Sequence, residues 1–168
     1  AEAQSVKKLI AAEKDPKRQK EYVDGVIDTL LKTKRYDLAR IFPDCLQSHL
    51  DAAWFRYQIE RADSKWKESL MCLDEYLSRK PSPQQAKEAK YIIAEICRDH
   101  INQRERAVKL YLEINDPPKS LWALQRTYRL MGKKKEAYQV LTEISSIFPK
   151  DAPEAVLTCA RYYEEDGH

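Results

Sequence analysis

One stretch of this chain, from Pro118 to Asp151, contains a complete pair of short helices, PKSLWALQRTYRLMGKKKEAYQVLTEISSIFPKD. Apolar side chains recur at three- and four-residue steps on both sides of Gly132, which predicts two amphipathic helices. Gly132 ends the first helix because glycine adopts left-handed backbone angles without steric cost. Pro149 ends the second because it has no amide hydrogen to donate. Two helices of about 13 residues, joined by about four, form an antiparallel hairpin.

Hairpins of the same kind recur along the chain. A lone hairpin cannot bury its apolar surface, so it needs neighbouring hairpins. Small residues mark the starts of successive second helices at Ala39, Ser69, Ala107 and Ala137. They lie 30, 38 and 30 residues apart, on either side of the period of about 34 residues that helix-turn-helix repeats show. The sequence therefore predicts about four stacked hairpins.

Local signals place several helix ends. In the first repeat, helices are predicted over about 18–33 and 36–49, with Pro43 kinking or restarting the second. In the second repeat, Asp51 is expected to cap the first helix and Ser64 to cap the second.

The clearest linker is Lys80-Pro81-Ser82-Pro83. Ser82 is predicted to cap a helix over about 83–101 whose first residue is Pro83. The length of this helix explains the 38-residue interval between Ser69 and Ala107.

Both ends of the chain carry helices without a partner. Residues 2–14 are interpreted as the second helix of an incomplete preceding repeat, and a helix from Pro153 as the first helix of a fifth. Repeat arrays normally end in a helix with a polar outer face, whereas Val156, Leu157 and Tyr163 would be partly uncovered here. We therefore expect either a fragment of a longer array or self-association through this C-terminal helix.

Two of the repeats carry signature positions of a known family. These positions are Gly132, Ala137, Leu141 and Pro149 in one repeat, and Tyr57, Trp66, Ser69, Leu73 and Pro81 in another. On them, the chain resembles tetratricopeptide-repeat (TPR) proteins over nearly its whole length. The resemblance implies an all-α fold, a right-handed α-solenoid of stacked antiparallel hairpins (a TPR-like superhelix), as one domain over residues 1–168. Half-repeat families of RNA-processing proteins share part of the signature, at Ala39 to Phe42 and Trp54 to Glu60.

Composition narrows the class of protein. A chain of 168 residues can bury a real core, and 3 glycines with 34% charged residues fit an all-helical repeat protein. No apolar stretch is long enough to span a membrane. The formal net charge of +3 is mild, so it demands neither nucleic acid nor an anionic membrane as a partner.

The cysteines predict neither a metal site nor a disulfide framework. They are scattered singly and form no CxxC pair, at Cys45, Cys72, Cys97 and Cys159. Cys45 with His49, and Cys97 with His100, would each offer only two metal ligands, fewer than zinc requires. We expect thiols that pack as small apolar groups in a reducing compartment, and hence a cytoplasmic protein.

The TPR resemblance also implies a binding groove lined by the first helices of the hairpins. The residues predicted to anchor a partner there are Trp54, Gln58, Arg61, Trp122, Arg126 and Arg129. Tryptophan and arginine are common binding anchors, and Arg126 with Arg129 could hold a carboxylate or a phosphate. The competing interpretation is that both tryptophans pack between helices and the arginines form a solvated face. If they are anchors, alanine at both tryptophans abolishes binding and leaves helicity intact.

Some TPR proteins clamp the terminal carboxylate of a peptide with lysine and asparagine at fixed groove positions. The matching positions here hold Asp24, Asp28, Trp54, Gln58, Ile92 and Ile96. Binding of such chaperone-type tails is therefore not expected.

The most favoured function is a protein-interaction scaffold that holds a partner peptide or helix in a concave groove. The alternative is a half-repeat scaffold in an RNA-processing complex, in which Lys133 to Lys135, Arg35 and Arg126 contact phosphates. We expect no enzyme, no catalytic residues and no cofactor, because the sequence has no phosphate loop, nucleophile elbow or zinc-protease motif.

Overall fold

The computed structural model describes residues 2–167, which form ten α-helices and one short 3₁₀ turn. No strand occurs in this range, so the predicted all-α fold class is confirmed. The helices are α1 (Glu2–Ala12), α2 (Pro16–Lys32), α3 (Tyr36–Ala39), α4 (His49–Ala62), α5 (Trp66–Ser78), α6 (Pro83–Asp99), α7 (Arg104–Ile114), α8 (Lys119–Leu130), α9 (Lys134–Ile147) and α10 (Ala152–Glu165), with the 3₁₀ turn at Pro43–Cys45 between α3 and α4.

Contacts divide the chain into two compact units, one up to Ala89 and one from Lys90 onward, with the boundary inside α6. In the first unit α4 packs on α5, and α2 packs on α3 and α4. In the second unit α8 packs on α9, and α9 packs on α10. Three of the hairpins expected from the sequence are therefore present, α2–α3, α4–α5 and α8–α9, each formed by helices that are neighbours in the chain.

The four small residues that define the repeat period are all fully buried. Ala39, Ala107, Ala137 and Ser69 each have 0% of their surface exposed. A larger side chain at this place would hold the two helices of a hairpin apart, because protein interiors are close-packed. Ser69 differs from the others in carrying a hydroxyl, and its Oγ has no hydrogen-bond partner among the described residues.

The turns between paired helices share one backbone conformation, although their residues differ. Lys34, Ser64 and Gly132 all have positive φ, at 57°, 57° and 72°. In each turn the next amide donates to a carbonyl five residues earlier, which closes the helix end by a Schellman-type bond. These bonds are Arg35 N to Leu30 O (2.8 Å), Lys65 N to Glu60 O (2.8 Å) and Lys133 N to Tyr128 O (2.9 Å).

Two predicted caps are wrong. Ser64 lies in this left-handed turn, and α5 begins only at Trp66 without a side-chain cap. Asp51 lies inside α4, where its own amide donates to the true N-cap, Ser48, at 3.1 Å. The Asp51 carboxylate instead accepts a hydrogen bond from Lys20 Nζ at 2.7 Å, which ties α4 to α2.

The second helix of the first repeat is broken more completely than a kink. α3 ends at Ala39, and the chain restarts as the 3₁₀ turn at Pro43–Cys45. Proline cannot donate to the helix ladder, and its ring clashes with the preceding turn. Phe42 remains 2% exposed, so the broken segment still contributes to the core of the first unit.

The predicted linker and helix stops are confirmed elsewhere. The amide of Gln85 donates to Ser82 Oγ at 3.3 Å, and the amide of Ser82 donates to Gln85 Oε1 at 2.9 Å. This reciprocal pair is a capping box, and α6 begins at Pro83 as expected. α9 ends at Ile147, directly before the Phe148-Pro149 step.

Candidate functional site

The predicted groove residues fall into two trios, one in each unit. Trp54, Gln58 and Arg61 lie on α4, and their counterparts Trp122, Arg126 and Arg129 lie on α8. Both trios have the spacing i, i+4, i+7, so each shares one face of its helix. The two helices occupy the same place in their hairpins, as the first of each pair.

Trp54 is half-buried within the α4–α5 hairpin. Its ring centroid lies 5.0 Å from that of Tyr57 and 5.1 Å from that of Tyr76, with tilted planes. Arg61 is exposed, and its Nη1 donates to the Tyr57 hydroxyl at 2.8 Å. Trp54 is thus an aromatic packing residue that keeps part of its surface open, with an arginine two turns along the helix.

Trp122 is also half-buried, and its indole Nε1 donates to Asp151 Oδ1 at 2.9 Å. Asp151 directly precedes α10, so this bond ties α8 to the start of the next helix. Arg126, one turn further along α8, is exposed. Trp122 and Arg126 together line a recess of about 540 Å³ within the second unit, whose other walls include Tyr91, Glu95, Arg98, Lys119, Asp151 and Glu154.

Cations and aromatic rings alternate along this recess. Arg98 is 7% exposed; its Nε and Nη2 each donate to Asp99 at 2.8 Å, and its Nη1 donates to the Tyr111 hydroxyl at 3.1 Å. The hydrogen bonds from Arg98 lower the pKa of the Asp99 carboxyl. Lys119 Nζ lies 4.2 Å from the ring centroid of Tyr91. Burial, aided by Asp116, raises the pKa of Tyr91 to about 12, so its hydroxyl stays neutral at physiological pH.

Arg129 is engaged inside its own unit. Nη1 and Nη2 each donate to the Asp166 carboxylate at 2.9 Å, and Nη2 also donates to Glu165 at 3.0 Å. The guanidinium carbon lies 4.3 Å from the ring centroid of Tyr162. Lys134 Nζ lies 2.8 Å from the same Asp166 carboxylate. Hydrogen bonds from Arg129 and Lys134 hold the pKa of Asp166 well below its usual range.

This cluster binds the end of α10 to α8 and α9, and sequence analysis did not anticipate it. The acidic run Glu164-Glu165-Asp166 was the available signal, but its basic partners lie some thirty residues away in the chain. A ligand carboxylate would have to compete with two protein carboxylates for Arg129. Arg126 carries no such bond in the described hydrogen-bond pattern and is the more accessible of the two arginines.

A second concavity, also unanticipated, lies in the first unit between α1 and α2. This apolar groove has a volume of about 1150 Å³. Leu9 is 73% exposed and Tyr22 is 49% exposed along it. Its apolar walls are formed by Ala3, Val6, Leu9, Ile10, Tyr22, Gly25, Val26, Leu30, Leu38 and Phe42.

Within residues 2–167, no group of three or more His, Cys, Asp or Glu side chains is arranged to hold a metal ion. The four cysteines form no disulfide in that range; Cys45 and Cys97 are buried and the other two are half-buried. Burial raises the pKa of Cys72 to about 11, which suits an unreactive packing thiol. None of the described helices has the combined length and apolarity needed to cross a membrane.

No protein-family model and no curated protein matches this chain. Among solved structures, it is similar to a putative kinesin light chain from Podosopora anserina with nearly identical TPR-like repeats, at TM-score 0.58 and 17% sequence identity. The match covers 98% of this chain and 86% of that one. A variant of the same protein matches at TM-score 0.56 and 17% identity over the same shares. The TPR-like fold expected from Gly132, Ala137 and Pro149 is thereby confirmed.

Proposed function

We propose that this chain is a protein-interaction scaffold that binds a partner peptide or helix along the first helices of its hairpins. The observation that carries the proposal is the recess on α8, where Trp122 and Arg126 face one concavity. Both residues were selected from the sequence because they lie on the first-helix stripe that, by the TPR resemblance, lines a groove. Helical-repeat folds commonly use such surfaces for binding.

The chemistry of the recess favours a peptide that carries an acidic side chain next to an apolar or aromatic one. Arg126 is exposed and can form charge-assisted hydrogen bonds with a carboxylate. Trp122 is half-buried and provides aromatic surface beside it, and aromatic side chains bury large areas when a partner docks. Affinity would come from these few anchors and not from total contact area.

The same proposal gives Trp54, Gln58 and Arg61 on α4 an equivalent role in the first unit. Trp54 keeps an open surface while packing on Tyr57 and Tyr76. Arg61 is exposed, and it could turn from the Tyr57 hydroxyl towards a ligand carboxylate. We propose this trio as the second contact area for the same class of peptide.

The experiment is selection of a random peptide library displayed on phage against the purified chain. We expect a consensus sequence with an acidic position, whose synthetic peptide loses affinity at least tenfold on Arg126→Ala and on Trp122→Ala. The matched control is Lys109→Ala, which should leave affinity unchanged. Lys109 is exposed and lies on α7, the second helix of its hairpin. Equal binding to wild type and to both recess variants would rule out the recess as the site.

The RNA-processing alternative makes a different prediction about salt. Phosphate contacts by Lys133, Lys135 and Arg126 would make affinity for single-stranded RNA fall steeply as salt rises. Lys134 is already paired with Asp166, which reduces the charge available at that turn. Tight RNA binding with a steep salt dependence, lost on Lys133→Ala with Lys135→Ala, would displace the peptide proposal. A cytoplasmic location, proposed from the single cysteines, fits either function.

A further inference from the structure

The recess around Trp122 and Arg126 is lined by charges of both signs. Its cations are Arg98, Lys119 and Arg126, and its carboxylates are Glu95, Asp151 and Glu154. A bound peptide covers these groups and removes water from them. Charged groups that lose water without gaining a partner oppose binding. The charges that are still unpaired in the recess therefore decide which charges a peptide there can carry.

Three of the charged groups are satisfied within the protein. The buried Arg98 guanidinium donates twice to the Asp99 carboxylate, at 2.8 Å each. The Asp151 carboxylate accepts a hydrogen bond from the Trp122 indole at 2.9 Å. The Lys119 ammonium lies over an aromatic ring, 4.2 Å from the ring centroid. A ligand would have to displace these contacts before it could pair with any of the three.

Arg126, Glu95 and Glu154 are the charged groups that remain open to a ligand. All three are exposed, and within residues 2–167 none of their side chains forms a hydrogen bond or an ion pair. Arg126 lies on α8, Glu95 on α6 and Glu154 on α10. Since α8 contributes to one recess with both other helices, its open cation is flanked by an open carboxylate on either side.

Stability of the helices does not explain both carboxylates. Glu154 lies in the first turn of α10, where a negative charge is favourable to the helix dipole. Glu95 lies in the C-terminal half of α6, where a carboxylate gains nothing from the dipole. Arg98, three residues further along α6, is already held by Asp99. Glu95 is thus an open carboxylate in the recess without a structural partner of its own.

We propose that the recess selects a peptide segment in which an acidic residue is flanked on both sides by basic residues. The acidic side chain pairs with Arg126, and the basic side chains pair with Glu95 and Glu154. This inference rests on the proposed function and adds the charge pattern that the same site recognises.

Helix geometry gives the spacing of the pattern. Axes of packed helices lie about 8–10 Å apart, and an extended chain advances about 3.3 Å per residue. A peptide that crosses α8 from α6 to α10 therefore carries its basic residues about three positions before and three positions after the acidic one.

The two carboxylates also exclude other ligands. A uniformly acidic peptide would place like charges against Glu95 and Glu154, and such juxtaposition opposes binding. A nucleic-acid backbone would do the same with its phosphates. The pattern therefore narrows the acidic peptides of the proposed function to those of mixed charge.

The first test repeats the phage-display selection on charge-reversed variants. The wild type should select the basic–acidic–basic consensus. Glu95→Lys should convert one basic position to an acidic one, Glu154→Lys should convert the other, and both should keep the central acidic position that Arg126 binds. The matched control is Glu143→Lys, which should select the wild-type consensus. Glu143 is exposed on α9 and lies outside the recess lining.

The second test is a double-mutant cycle with a synthetic peptide of the wild-type consensus. Glutamine at either basic position of the peptide should lower affinity for the wild type by about two- to fivefold, as for exposed ion pairs. The same peptide change should have no further effect on Glu95→Gln or Glu154→Gln, whichever faces it. A peptide with glutamate at that position should bind the matching lysine variant, which also shows that the variant is folded.

The outcomes separate this inference from the proposed function. A consensus that is lost on Arg126→Ala but has no basic positions overturns the charge pattern and leaves the recess as the peptide site. A cycle without coupling at Glu95 and Glu154 has the same meaning. If no selected peptide depends on Arg126 and Trp122, both proposals fail together.

Discussion

At the scale of single residues, Ser69 shows how strictly the hairpin contact limits side-chain size. It takes the place that alanine holds in the other repeats, and it is fully buried there. Serine is only one oxygen larger than alanine, so the contact accepts its volume. Its hydroxyl, however, lies without a hydrogen-bond partner among the described residues.

Ser69→Ala should therefore raise the free energy of unfolding by about 1 kcal/mol, because it removes a buried polar group that folding leaves unsatisfied. Urea denaturation followed by circular dichroism measures the change. Ser120→Ala is the matched control: Ser120 is 3% exposed, but its Oγ accepts a hydrogen bond from the Asp116 amide at 3.0 Å. Ser120→Ala should lower the free energy of unfolding by about 1 kcal/mol. A change of the same sign in both variants would contradict this account.

The left-handed turn residues give a second pair of opposite effects. Lys34 and Ser64 adopt positive φ at a steric cost that Gly132 does not incur. Lys34→Gly and Ser64→Gly should each raise the free energy of unfolding by about 0.5–1 kcal/mol, after the added freedom of the unfolded chain is subtracted. Gly132→Ala should lower it by about 1 kcal/mol.

Gly25 supplies the control for these turns, since it lies inside helix α2 and an added Cβ would meet nothing there. Gly25→Ala should raise stability by about 0.5–1 kcal/mol, the reverse of Gly132→Ala. Thermal and urea denaturation of the two alanine variants, run side by side, compare glycine in a helix with glycine in a turn. Destabilisation in both would show that the Gly25 site has a neighbour that the structure does not show.

At the scale of the helices, the two arginines of α8 separate into different roles. Arg129 ties α8 to the end of α10 through Asp166 and Glu165, whereas Arg126 is exposed. Arg129→Ala should increase amide hydrogen exchange in the last turns of α10, because it leaves Asp166 with fewer donors. Arg126→Ala should leave that exchange unchanged. Hydrogen exchange read by mass spectrometry resolves the α10 peptides.

The same cluster should respond to acid in a defined direction. Arg129 and Lys134 lower the folded-state pKa of Asp166 below its value in an unfolded chain. The contribution is thus complete above the ordinary carboxyl range, about pH 4, and is lost as pH falls through the lower folded-state pKa. Protection of α10 should be constant from neutral pH to about pH 5 and decline below it. In Arg129→Ala the decline should be smaller and should finish at higher pH, because the folded-state pKa of Asp166 then lies closer to its value in an unfolded chain.

At the scale of the whole molecule, the features that could be predicted from the sequence are those encoded by residues close together in the chain. The α8–α9 hairpin was predicted because Gly132 and Pro149 mark the ends of its two helices and apolar periodicity marks their faces. The caps at Asp51 and Ser64 were wrong because a side chain that can cap does so only when the backbone beside it is suitably placed. At Ser64 a backbone hydrogen bond from Lys65 to Glu60 closes the preceding helix, and at the start of α4 the Ser48 side chain is the cap.

Features that join distant parts of the sequence were missed. The Arg129–Asp166 contact spans 37 residues, and periodicity carries no information about which arginine will meet which carboxylate. The α1–α2 groove was missed because helical periodicity shows that Leu9 shares a face with other apolar residues, but not that the face is open. For the candidate site, the sequence placed both trios on equivalent helix faces, while the recess around Trp122 depends on Tyr91, Lys119 and Glu154 from other elements.

The turns closed by backbone hydrogen bonds have a consequence for how such a chain can change over evolutionary time. Lys34, Ser64 and Gly132 hold the same conformation although their side chains have nothing in common, and all three are exposed. Mutation at these corners is therefore limited by a modest backbone strain and not by a lost contact. The corners can drift until a repeat no longer matches a consensus while its architecture persists. They are also the places where a new loop could be inserted at little cost to the hairpins on either side.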